Sequence, residues 1–268
     1  MKSFYSEQNI IEQILKNDPN YTNLKITNEH INHYYVYDTQ YMFIYAQASF
    51  DIILINALNK NSYISSICTC LYPIFEFDEN IKLLLQRPFK SINLYKYGRS
   101  IIDYLHETQN YNVEKLELCP VSFNGDKIAK YIEMNKSLKH LILDDTWWLE
   151  TNVQLIIKSL KYSTLETLTL KRDIFDVQNW IICDIIKTNS KIKQLYICDA
   201  YHTNLYDIKD ALLNNFNIID FKINNVYHDE FNEILERNKK YQIMLHMCIN
   251  KRIIPKCVSL NCLLPFVL

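Results

Sequence analysis

LKHLIL at residues 138–143, LETLTL at 165–170 and IKQLYI at 192–197 share one pattern, apolar-x-x-apolar-x-apolar, and its recurrence decides how this chain folds. Working outward, VEKLEL at 113–118 and IIDFKI at 218–223 repeat it. The copies begin at residues 113, 138, 165, 192 and 218, at intervals of 25, 27, 27 and 26 residues. Upstream, PFKSINL (Phe89, Ile92, Leu94) and a weaker YISSICT (Ile64, Ile67, Thr69) keep the spacing, and NYTNLKI (Tyr21, Leu24, Ile26) has the same shape. A fixed period of this length marks a repeat architecture built from one supersecondary unit.

The end of each copy alternates apolar and polar residues, as a strand does. Ahead of each copy stands an apolar pair at helical spacing: Ile128 and Ile132 before Leu138, Ile182 and Ile186 before Ile192, Ile208 and Leu212 before Ile218. The Leu165 unit uses Leu155, Ile156 and Leu160 instead. Side chains at i and i+4 share one helix face, so each unit reads strand, loop, amphipathic helix, turn. One such unit cannot bury its own apolar faces, but neighbours on both sides can. With only 2 Gly in the chain, Asn17, Asn61, Asn135, Asn189, Asn215 and Asn238 follow the helical stretches. They are expected to adopt the left-handed turn that Gly usually takes. From Tyr21 to Ile64 is 43 residues, too long for one unit, so residues 27–45 hold an insertion or a degenerate repeat.

An LxxLxL strand, a helix and an N-x-x-L turn such as Asn135 to Leu138, at a period in the high twenties, resemble the ribonuclease-inhibitor-like subclass of leucine-rich repeat proteins. The resemblance is strong from residues 89 to 240 and weaker before. The units are a little shorter than is usual for that subclass, and Ile, Phe and Tyr often replace Leu. It implies an α/β leucine-rich repeat solenoid, a horseshoe. Strands about 4.8 Å apart and helices about 8–10 Å apart would bend it, with the parallel sheet concave and the helices convex. Residues 1–268 then form one domain: 1–63 an N-terminal cap and degenerate repeats, 64–240 regular repeats, and 241–268 a C-terminal cap.

A hydrophobic share of 49% with 22% charged residues belongs to a globular chain, not a disordered one. A net charge of −1 and the lack of a Lys/Arg block argue against nucleic acid as a partner. No apolar run reaches the length of a membrane span, and MKSFYSEQNIIEQ lacks the pattern of a signal peptide. The expected location is therefore cytoplasmic, meaning the host cytoplasm if the source is a virus or an intracellular pathogen. The excess of Ile, Asn, Lys and Tyr over Gly is what an AT-rich genome produces.

The eight cysteines (Cys68, Cys70, Cys119, Cys183, Cys198, Cys248, Cys257 and Cys262) show no zinc-finger spacing, so no metal is expected and the thiols read as reduced. Cys70, Cys119 and Cys198 take the same place in units two and three apart, too far for a disulfide. No G-x-S-x-G, P-loop or H-E-x-x-H motif occurs, and His33 and His140 stand without a neighbouring acid. The expectation is a non-enzyme without catalytic residues or cofactor.

Between the inward apolar positions, the strand residues face the other side of the sheet: Ser91, Asn93 and Tyr95; Lys115, Glu117 and Cys119; His140, Ile142 and Asp144; Thr167, Thr169 and Lys171; Gln194, Tyr196 and Cys198; Asp220, Lys222 and Asn224. Where strands run into loops, DDTWW (144–148) is followed one unit on by Lys171 and Arg172 and another unit on by Tyr201. Trp, Tyr and Arg are enriched at interface hot spots. The expected partner-binding set is thus His140, Ile142, Asp144, Trp147, Trp148, Thr167, Thr169, Lys171, Arg172, Gln194, Tyr196 and Tyr201. The chain reads as a monomeric protein–protein interaction module whose partner is another protein. The alternative is a substrate-receptor subunit of a ubiquitin ligase or a host-directed effector or adaptor, docked through the first 45 residues or the tail IIPKCVSLNCLLPFVL.

Overall fold

The computed structural model describes residues 11–12, 14–20, 23–27, 41–45, 52–70, 78–94, 98–118, 125–144, 150–171, 179–198 and 204–250. Within them lie nine strands: β1 (Asn23–Thr27), β2 (Tyr41–Tyr45), β3 (Ser66–Cys70), β4 (Ser91–Leu94), β5 (Lys115–Leu118), β6 (His140–Asp144), β7 (Thr167–Lys171), β8 (Gln194–Ile197) and β9 (Asp220–Ile223). Helices alternate with them from β2 onward: α1 (Ile52–Lys60), α2 (Asp78–Leu85), α3 (Gly98–Glu107), α4 (Gly125–Met134), α5 (Glu150–Leu160), α6 (Asn179–Thr188), α7 (Leu205–Leu213) and α8 (Asp229–Asn250). Every strand pair is parallel, in one open sheet ordered β2-β1-β3-β4-β5-β6-β7-β8-β9. This α/β architecture of recurring strand–helix units is consistent with a repeat solenoid.

The register is the one that the apolar spacing requires. Ile67, Ile92, Leu116, Leu141, Leu168, Leu195 and Phe221 stand in one row across the sheet, and Thr69, Leu94, Leu118, Leu143, Leu170, Ile197 and Ile223 in another. From β5 to β9 both rows are buried in a single core shared with the helices. Ile128 and Ile132, Ile182 and Ile186, and Ile208 and Leu212 complete that core from the helical side, as their spacing predicts. In α5 the expectation needs correction. Val153, Ile156, Ile157 and Leu160 face the core, whereas Leu155 points outward at 39% exposure.

The long interval near the N-terminus is resolved by strand order. β1 pairs directly with β3, Leu24 opposite Ile67 and Ile26 opposite Thr69, while β2 adds to the outer edge of β1. The extra strand therefore lengthens the sheet without interrupting the stack of units.

The asparagines do something other than cap helices in the left-handed region. Of the six, only Asn17 has a positive φ, at 56°; elsewhere among the described residues Gln109, Asn224 and Asn225 do. Asn61, Asn135, Asn189, Asn215 and Asn238 are instead buried, and their amides tie one unit to the one before. Nδ2 donates to a carbonyl of the preceding unit: Asn61 to Ile14, Asn135 to Val113, Asn189 to Leu160, Asn215 to Ile186 and Asn238 to Ile218, at 2.7–2.9 Å. Oδ1 accepts from backbone N–H groups that follow, Tyr63 and Ile64 for Asn61, Lys191 and Ile192 for Asn189, Asn217 and Ile218 for Asn215. Asn110, which the sequence reading passed over, makes the same backward bonds to Leu85 and Arg87. Each member sits three residues before its unit's first apolar position. Where the ladder lacks an Asn, other donors serve: Arg87 Nη2 bonds Ile64 O, and Thr164 Oγ1 bonds the carbonyls of Lys136 and Leu138. Buried turns carry backbone polar groups that must be paired, and the ladder pairs them.

Tyr131 is fully buried beside this ladder, donating to Asn110 O at 2.9 Å and accepting from Asn135 Nδ2 at 3.1 Å. Burial pushes its phenol well above the ordinary tyrosine range.

Helices α1 to α7 have 8–11 residues, whereas α8 has 22. Asn238 makes its ladder bonds from within α8, and Tyr241, in the place of a first apolar strand residue, is buried there. The boundary expected at residue 240 thus falls inside a continuous helix.

Gly125 opens α4 against α5. A Cβ there would lie 2.5 Å from Asn152 Cβ and 2.6 Å from Asn152 Cα, and backbone cannot yield as a side-chain tip can. Gly125→Ala is expected to cost about 1–3 kcal/mol as α4 and α5 are forced apart. A thermal midpoint equal to that of the wild type would show that the helices adjust freely.

Candidate binding surface

One face of the sheet carries the core and the helices. The other is described by the alternate strand residues, which from β4 to β9 range from buried threonines to exposed Lys115 and His140. Of the residues singled out from sequence, His140 is exposed, and Ile142, Lys171, Gln194 and Tyr196 are half-buried. Thr167 and Thr169 are each only 9% exposed and present little surface. Asp144 ends β6 opposite Lys171 in register. Trp147, Trp148, Arg172 and Tyr201 lie outside the described residues, as does Cys119, so the Trp-rich loop carries no geometry here.

Lateral side-chain bonds knit much of this face together. Asn93 Nδ2 on β4 donates to Glu117 Oε2 on β5 at 2.7 Å. Lys171 on β7 reaches past β6 to Glu117 Oε1 at 2.8 Å, so one carboxylate ties β4, β5 and β7 together. Thr167 Oγ1 donates to Gln194 Oε1 at 2.8 Å. Tyr196 OH donates to Asp220 Oδ2 at 2.5 Å, and the Lys222 ammonium lies 5.4 Å from the Tyr196 ring centre and 4.4 Å from that of Tyr227. Burial, with the bond to Asp220 second, raises the Tyr196 phenol above its ordinary range. A hydrogen bond with Tyr227 raises the Lys222 ammonium, which stays charged.

Sequence reasoning placed these residues on one face but missed their coupling. The available signal was complementary chemistry two residues out of register on the same face, Glu117 with Lys171 two units on and Tyr196 with Asp220 one unit on.

Among the described residues no group of three or more His, Cys, Asp or Glu side chains could hold a metal ion. Cys68, Cys183, Cys198 and Cys248 are thiols, not disulfide-bonded. No helix of the described residues is long and apolar enough to cross a membrane.

No protein-family model matches the chain, and no curated protein does. Among solved structures, actin-binding site 2 of leiomodin-1 is similar at 12% identity and a TM-score of 0.46, covering 58% of this chain and 97% of that one. A sugar phosphate isomerase/epimerase from Parabacteroides distasonis is similar at 12% identity and a TM-score of 0.30, covering 88% of each chain. Likenesses this distant do not bear on what the chain binds or catalyses.

Proposed function

We propose that this chain is a non-enzymatic protein–protein interaction module of the leucine-rich repeat kind. In this reading the solenoid is curved, and a partner protein is taken by the concave face of the sheet and the loops that adjoin it, including Trp147, Trp148, Arg172 and Tyr201. The observation that carries the reading is a parallel sheet with helices packed against one side. All-parallel sheets are ordinarily covered on both faces. Here the second face carries a mixed polar set with Ile142 and Tyr196 half-buried among charges, the composition of a surface that a protein covers on demand.

The test is affinity capture with three versions of the chain. Ile142→Arg, in the middle of the proposed face, should abolish capture of the partner, while Lys158→Glu on α5 should leave it intact. Equal capture by both variants would sink the concave-face reading.

A second reading, an adaptor such as the substrate-receptor subunit of a ubiquitin ligase, needs a docking element beyond the repeats. The last turns of α8 favour it, because Ile243, Met244 and Met247 are 48–60% exposed on a helix that outruns its unit. Under this reading Met247→Glu removes one captured component and spares the other.

A further inference from the structure

Resting on the concave-face reading, we infer that the partner presents an acidic segment, one of whose carboxylates docks on the row formed by Ser91, Lys115 and His140. These residues stand side by side on β4, β5 and β6. The adjacent strands place them about 5 Å apart. Lys115 and His140 are exposed and Ser91 is half-buried. Among the described residues none of the three side chains has a hydrogen-bond or ion-pair partner. A hydroxyl, an ammonium and an imidazole thus line up, each able to donate, and the ammonium of Lys115 has no acceptor. The complement of such a row is a carboxylate, which accepts charge-assisted bonds and donates none.

The face's own acids do not fill that role. Glu117 has both oxygens engaged, by Asn93 and by Lys171. Asp220 accepts from Tyr196, and its other oxygen is buried away from any partner. Glu114 pairs with Lys90. Asp144 is four residues along β6 from His140, about 13 Å away along the strand, and stands beside Lys171. Farther across the face Lys222 adds a second ammonium that rests on tyrosine rings instead of an ion pair. Among the described side chains of this face three ammoniums, Lys115, Lys171 and Lys222, stand against two carboxylates, Glu117 and Asp220, and complementary charge is what selects a partner and sets its register.

The experiment selects binders of the full chain from a random displayed peptide library and measures the enriched peptides by fluorescence anisotropy. Enriched peptides should be rich in Asp and Glu, bind more weakly as salt is raised, and lose about tenfold in affinity to Lys115→Glu. His140→Glu should act in the same direction, and Lys158→Glu on α5 should change nothing. Replacing the key Asp or Glu of the peptide by Lys should restore binding to Lys115→Glu. Neutral or basic peptides that are lost with Ile142→Arg would overturn the acidic partner yet leave the concave face as the binding surface. Peptides indifferent to every substitution on this face would remove both readings. No enrichment at all, or binding only when the acid is exchanged for phosphoserine, would overturn the carboxylate.

Discussion

Asn215→Ala should destabilise this protein by about 2–4 kcal/mol, far beyond what one short polar side chain at a turn suggests. The Asn215 amide is 6% exposed and makes four bonds: Nδ2 to the carbonyls of Ile186 (2.7 Å) and Asn189 (3.5 Å), Oδ1 from the N–H groups of Asn217 (2.8 Å) and Ile218 (2.9 Å). Alanine leaves those backbone groups buried and unpaired, each at a desolvation cost of about 1–3 kcal/mol that partial relaxation reduces. Asn215→Asp should do no better, because a carboxylate cannot donate to the two carbonyls and is itself buried. The control is next door. Asn214 is exposed and bonds only Asp210 O, at 3.1 Å, so Asn214→Ala should stay within about 1 kcal/mol. Urea midpoints of the variants, at unchanged slope, decide the matter. If Asn214→Ala and Asn215→Ala shift the midpoint equally, the ladder contributes nothing particular.

Phe221→Ala should be the costliest single truncation near the C-terminal end, about 3–5 kcal/mol. The ring is fully buried in the last strand, beside Leu195 in register and edge-on to Phe231 of α8 at 5.4 Å between ring centres. Its loss opens a cavity between β9 and α8, the last strand and helix among the described residues. Because each unit packs chiefly against its neighbours, the damage should be local at first. Hydrogen exchange should show β9, α7 and α8 losing protection while β5 and β6 keep theirs. A uniform loss across all units would mean that the stack unfolds as one body, contrary to the nearest-neighbour picture.

Much of the fold was legible in the sequence because its signals are local. Leu141 and Leu143, Leu168 and Leu170, and Leu195 and Ile197 announce the buried side of each strand within six residues, and the structure keeps every one of them in that role. The helix phase was readable where charged residues separate the apolar ones, as at Ile208 and Leu212. It failed at Leu155, Ile156 and Ile157, where three apolar residues in succession fit more than one helical phase. Asn135 and its counterparts were found at their turns but given the wrong task. A helix-terminal Asn suits a left-handed turn or a bond to another unit equally well, and Val113, the acceptor for Asn135, is 22 residues away.

On the candidate surface the same division holds. Alternation was enough to place His140, Ile142, Thr167, Gln194 and Tyr196 opposite the core. It could not show that Thr167 bonds Gln194, or that Lys171 passes over β6 to Glu117 while Lys115 is left without an acceptor.

The sequence by itself determined the unit length, the strand register and the side of the sheet to which each residue belongs. These follow from backbone periods of two and 3.6 residues that any short window displays. Tertiary structure alone decided that β2 sits outside β1, that the asparagines bridge units, and which side chains of the open face satisfy one another. Those outcomes depend on residues 18 to 54 positions apart in the chain that stacking brings within hydrogen-bonding reach, a proximity that no local pattern encodes.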